Sequence, residues 1–146
     1  MHINTTEVWE FMKHSEKRAG VTDFLLLLLT ILFPAGLVTV FKGCPAGEDG
    51  SWMSCHWAEM AVLGISCVLL ICAVIHLFVP DCGAKSGIDA AMIPLAALSV
   101  FLPKNLIRLC MMADMRCHVY MRPFAAVLSA LILCTAFVDL LLNRRK

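Results

Sequence analysis

Four apolar stretches separated by short polar ones organise this chain. Residues 24–41 (FLLLLLTILFPAGLVTVF) carry no charge. As a helix they are long enough to cross the hydrocarbon core of a bilayer, which takes about 20 residues. Pro34-Ala35-Gly36 is expected to kink this helix, which a bilayer helix tolerates when neighbours satisfy the freed carbonyl. Residues 60–79 form a second span, ended by Pro80. A polar loop, 81–89, leads into a third apolar run that is too short alone at 90–102. Continued through Pro103 to Leu109 it reaches full length, with Lys104 and Arg108 snorkelling to the interface. Residues 124–142 form the fourth span, stopped by Asn143-Arg144-Arg145-Lys146. The pattern predicts an all-α integral membrane fold of four transmembrane helices, at about 24–41, 60–79, 89–109 and 124–142. They form one domain over 23–146, behind a polar leader at 1–22.

Composition agrees with lipid as the solvent. Of 146 residues, 60% are hydrophobic and only 16% charged, where soluble domains are nearer half apolar and a quarter charged. The net charge of +1 gives no reason to expect nucleic acid as a partner. In the leader, Thr5 or Thr6 can cap a short helix whose Val8, Trp9, Phe11 and Met12 lie against lipid headgroups. The first apolar run starts late, is longer than a signal-peptide core and lacks a small-residue cleavage site, so a secretory signal is not expected. With both termini inside, Lys13, Lys17, Arg18, Lys85, Arg144, Arg145 and Lys146 face the cytoplasm, and Lys42, Lys104, Arg108, Arg116 and Arg122 face outward. The positive-inside rule favours that orientation.

The polar segment between the first two spans contains Met53-Ser54-Cys55-His56, and the one between the last two contains Met115-Arg116-Cys117-His118. Each copy follows an earlier cysteine, Cys44 or Cys110, and precedes an apolar span. Pro34 and Leu37 align with Pro103 and Leu106, and Ala61-Val62-Leu63 with Ala126-Val127-Leu128, with gaps on each side of the motif. The halves therefore read as pseudo-repeated helical hairpins running parallel through the membrane. A parallel repeat puts its pseudo-twofold along the membrane normal, so both motif loops meet at the outer face.

Three chemistries fit those loops. Cys44–Cys55 and Cys110–Cys117 can close structural disulfides in an oxidising compartment, each restraining its loop by roughly 2–3 kcal/mol. Alternatively, Met53, Cys55, His56, Met115, Cys117 and His118 can hold copper(I), or zinc without the thioethers, or His56 and His118 can serve as axial ligands of one haem. Thiol–disulfide exchange is a third, although no Cys-x-x-Cys occurs. Cys67, Cys72 and Cys134 fall inside apolar runs, where cysteine acts as a small hydrophobe.

Elsewhere, His76 lies near the inner end of the second span, where an ionisable residue is a functional candidate and a hydrogen bond to a neighbouring helix is the plainer reading. Asp139 is expected to pair with Arg144 one turn on, or to snorkel. Asn105 and Arg108 read as interfacial anchors or an anion contact, and Trp52 and Trp57 as interface aromatics. There is no Gly-x-Ser-x-Gly, no P-loop and no carboxylate pair at the outer face, so no conventional enzyme is expected.

The four spans, with Cys44-Pro45, Met53-x-Cys55-His56-Trp57, Pro103, Cys110 and Met115-x-Cys117, resemble the prokaryotic membrane family designated domain of unknown function 4418. The second motif departs from the first in having Val119 where the first has Trp57. The resemblance implies a fold and a membrane habitat. It also implies an accessory subunit beside an ABC-type permease; a transport subunit and a homo-oligomer are the other expectations for role and partner.

Overall fold

The computed structural model describes residues 5–41, 50–52, 54–107 and 117–144, with side chains described from residue 20 onward except at 104, 117 and 144. Four long helices make up the fold: α1 Thr5–Thr39, α2 Ser54–Phe78, α3 Cys82–Phe101 and α4 Arg122–Arg144. Single π-helical turns occupy Leu102–Leu106 and Cys117–Met121. Four segments are long and apolar enough to cross a membrane: Gly20–Thr39, Ser54–Phe78, Cys82–Phe101 and His118–Asn143. This is the architecture of a small multi-pass membrane protein.

Each helix buries one narrow stripe. In α2 the buried residues are Cys55, Ala58, Val62, Ser66, Leu69, Ala73 and His76, spaced three and four apart throughout. In α3 they are Asp89, Met92, Ala96 and Ser99, and in α4 Ala125, Leu128, Ser129, Ile132, Ala136, Asp139 and Asn143. That spacing is the seam of helices crossing at a shallow angle. The seam is rich in Ala and Ser, which let helix backbones approach closely where lipid offers no hydrophobic drive to associate. The opposite faces carry Leu28, Ile31, Val68, Ile71, Leu131 and Val138, all exposed and suited to acyl chains. The helices form a closed ring in which α1 packs on α2 and α4, and α3 packs on α2 and α4.

Three sequence expectations shift. The polar segment 81–89, expected as a loop, forms the first turns of α3. Asp81 caps it, accepting a hydrogen bond from the Ala84 backbone N–H at 3.0 Å, and only Val79, Pro80 and Asp81 separate α2 from α3. At its far end α3 stops at Phe101 instead of continuing to Leu109, because Pro103 cannot donate in the helical ladder and crowds the carbonyl four residues back. The chain passes there into the π turn closed by Ile107 N–H to Leu102 O at 3.2 Å. The leader and the first span are one continuous helix, which also runs unbroken through Pro34.

Close packing between α1 and α4 depends on Gly36. Any Cβ at that position would run into the Phe124 ring. Phe124 stacks on Phe41 with ring centroids 4.0 Å apart and meets Phe33 edge-on at 6.3 Å.

Candidate functional site

Each helix sends an ionisable side chain to the same point in the ring, and α3 adds Lys85 as a second. The first four are Asp23 near the start of the membrane segment of α1, His76 in the last turn of α2, Asp89 in α3 and Asp139 near the end of α4. His76, Asp89 and Asp139 continue the buried stripes of their helices, each three residues beyond or before an apolar stripe position (Ala73, Met92 and Ala136). Helix geometry aims them inward for the same reason that it aims Leu69 or Ile132 inward. The starts of α1 and α3 meet the ends of α2 and α4, as four alternating helices require, so the cluster lies at the end of the bundle nearest the C-terminus.

His76 is the hub. Its Nε2 lies 3.1 Å from Asp139 Oδ2 and 3.2 Å from Asp89 Oδ1, and its Nδ1 lies 3.7 Å from Asp23 Oδ1. His76 and Asp139 are 1% exposed and Asp89 is fully buried. A second layer orients the carboxylates. Thr22 Oγ1 donates to Asp139 Oδ1 at 2.7 Å, and Asn143 Nδ2 donates a longer bond to Asp139 Oδ2 at 3.3 Å. Lys85, one turn before Asp89 on α3, donates to Asp23 Oδ2 at 2.6 Å. In Asp23 one oxygen is therefore held by Lys85 while the other faces the imidazole. Asp139 is arranged the same way, its Oδ1 held by Thr22. Asp23 Oδ1, His76 Nε2 and both oxygens of Asp89 are buried without a hydrogen bond of good geometry.

Among the described residues, three carboxylates face one lysine and one imidazole; counted as ionised, they leave two negative charges over if the imidazole is neutral and one if it is protonated. In a low-dielectric bundle an uncompensated charge is expensive, so the arrangement favours binding a further positive charge. Chemically, a buried His with acceptors at both ring nitrogens can take up and pass on a proton. One imidazole nitrogen with nearby carboxylates can also ligate a metal ion.

A family model for a domain of unknown function, DUF4418, matches residues 25–142. The chain belongs to that family. No curated protein and no solved structure matches it. The DUF4418 region contains His76, Asp89 and Asp139, while Thr22 and Asp23 fall just before its start.

Of the residues singled out from the sequence, His76 stands at the centre of this cluster. Asp139 is corrected: its carboxylate turns into the bundle toward His76, Thr22 and Asn143 rather than snorkelling, and the Arg144 side chain lies outside the described residues. Cys55 is buried in the first turn of α2, and His56 stacks against the exposed Trp52 with centroids 4.1 Å apart and meets Trp57 at 5.9 Å. His118 is half-buried in the π turn before α4. His56 and His118 thus sit at the end of the bundle opposite the His76 cluster. Cys44, Met53, Arg108, Cys110 and Met115, with the Cys117 side chain, lie outside the described residues. Among the described thiols, Cys67 and Cys134 are free and exposed on the apolar spans.

Asp23 falls between the expected leader and first span, and Lys85 and Asp89 fall in the expected loop 81–89, so the sequence pattern marks none of them as a site residue. The missed signal was periodic: Asp89 falls in register with Met92, Ala96 and Ser99, and Lys85 lies one turn before it.

Proposed function

We propose that this DUF4418 protein is a small membrane transport or accessory subunit, not an enzyme, that takes up and releases a cation or a proton at the His76 cluster. One observation carries the reading: a buried histidine between three carboxylates from three other helices, with carboxylates outnumbering cations among the described residues, inside membrane-spanning segments. Ionisable groups in such segments are costly and mark ion or proton pathways. A purely structural polar seam would be expected to balance its charges within itself, as the Lys85–Asp23 pair does.

The basic C-terminal residues support an orientation with both termini in the cytoplasm, which puts the His76 cluster at the inner face and the Met-x-Cys-His loops outside. The repeated motif supports two parallel pseudo-repeated hairpins. The role beside an ABC-type permease rests on the family resemblance alone, and co-purification of a permease with the tagged chain tests it.

Proteoliposomes test the central reading. With a pH-sensitive dye inside and a proton or divalent-cation gradient imposed, the wild type should change the trace above empty vesicles, and His76→Gln should remove the change. Wild-type traces identical to those of empty vesicles under every gradient would sink cation handling by this chain.

A further inference from the structure

We propose that Asp23, His76 and Asp139 form a binding site for a divalent transition-metal ion of the manganese, iron(II) or zinc class. The proposal rests on the cation-handling reading and names the cation. One donor atom from each residue can be chosen so that all three lie within 4.8 Å of one another, close enough for a single ion to reach all of them.

Several independent observations point to a ligand there. The first is unmet bonding capacity. Asp89 is fully buried, and neither of its oxygens receives a hydrogen bond of good geometry. The same holds for Asp23 Oδ1 and His76 Nε2. Most buried polar groups in folded proteins are satisfied, so four such atoms around one imidazole call for a partner.

The second is orientation. Thr22 holds Asp139 Oδ1, which leaves Oδ2 toward His76 with only the longer bond from Asn143. Lys85 holds Asp23 Oδ2, which leaves Oδ1 toward the same ring. Fixing one carboxylate oxygen so that the other points at the ion is how outer-layer groups prepare metal ligands. The imidazole gives one nitrogen to the metal. Asp89, 3.2 Å from Nε2, is placed to supply a further oxygen or to balance charge.

The third is charge. With His76 neutral, as a metal ligand must be, the three carboxylates, counted as ionised, and Lys85 leave two negative charges among the described residues. A dication neutralises them, and a single proton does not. The donors are one imidazole and carboxylate oxygens, with no thiolate or thioether, which suits manganese, iron(II) or zinc and disfavours copper(I). The site is therefore separate in place and chemistry from the Met-x-Cys-His loops at the other end of the bundle.

The experiment is equilibrium binding on the purified full-length protein in nanodiscs after chelator treatment. Mn²⁺, which thiols hold weakly, is the probe, read by electron paramagnetic resonance, with Zn²⁺ and elemental analysis in parallel. The expected result is one Mn²⁺ per chain, with affinity falling at least 100-fold in His76→Gln and Asp139→Asn. Thr22→Val and Lys85→Met should lose roughly 10- to 100-fold, the usual effect of removing a group that orients a ligand. His56→Ala and His118→Ala should leave Mn²⁺ affinity unchanged. Circular dichroism and gel filtration show whether each variant is folded. In a variant that is not, broadening of the imidazole resonances of wild-type protein by Mn²⁺ assigns the ligand directly, with His76 expected to broaden first. No saturable Mn²⁺ or Zn²⁺, or binding indifferent to His76→Gln in a folded protein, overturns the metal site. If flux in vesicles still depends on His76 in that case, the cation-handling reading stands with the proton as its cargo. If flux is absent as well, both fall.

Discussion

Lys85 shows how one residue decides the state of the cluster. It is 17% exposed, its partner Asp23 10%, and their contact of 2.6 Å is the shortest ion pair among the described residues. Removing one member of a mostly buried pair leaves the other charge stranded, so Lys85→Met should lower stability by about 3 kcal/mol, near the low end for broken buried pairs. Asp23→Asn in the same chain should recover most of that loss, because it removes the stranded charge. A double-mutant cycle of thermal or denaturant unfolding in detergent measures this, and equal losses in the single and double variants would refute it. Asp139 makes the complementary point. Snorkelling was one expectation for it, yet the buried stripe of α4 turns the carboxylate inward, toward His76 and Thr22.

At the scale of the element, α3 and the α1–α4 contact carry the predictions. Asp81 closes the N-terminus of α3 with its side chain and so sets where Lys85 and Asp89 lie on the helix. Asp81→Ala should cost about 1 kcal/mol and raise amide exchange over the first turn of α3. Unchanged exchange there would show that the cap does not hold the turn. Gly36 is small because Phe124 occupies the space a Cβ would need. Gly36→Ala should push the Phe124 ring off Phe41 at a cost of about 1–3 kcal/mol, the usual range for overpacking. Phe124→Leu should relieve most of the added strain, and additive losses in unfolding free energy would argue against that contact. The expected third span continues through Pro103 to Leu109. Pro103 instead ends the helix, because the residues beyond it turn instead of continuing the ladder.

For the whole molecule, the arrangement that matters is the ring closed by α1 against α4, which collects five ionisable groups at one end and the two motif histidines at the other. The proposed orientation can be read chemically through Cys82, which sits in the first turn of α3 at the cluster end and is only partly buried. In a variant keeping Cys82 as its one cysteine, a membrane-impermeant maleimide should label intact cells weakly and permeabilised cells fully. Full labelling of intact cells would invert the orientation and place the His76 cluster on the outer face.

Much of the fold was legible from hydropathy alone, since a chain with these apolar runs can satisfy its backbone in lipid only as helices. Four helices, their approximate positions and the family all follow from local pattern and motif. The candidate site was legible at His76, an ionisable residue inside an apolar run and singled out as a functional candidate. Asp23 sat between the expected leader and first span, Lys85 and Asp89 in the expected loop, and Asp139 had a nearer partner along the chain. Which of them share a point in space depends on how α1 and α3 pack beside α2 and α4, and no single helix records that. The sequence by itself determined that this protein lives in a membrane as four helices. The tertiary structure decided that its charges converge, because facing stripes from four separate segments must be brought together before three carboxylates can surround one imidazole.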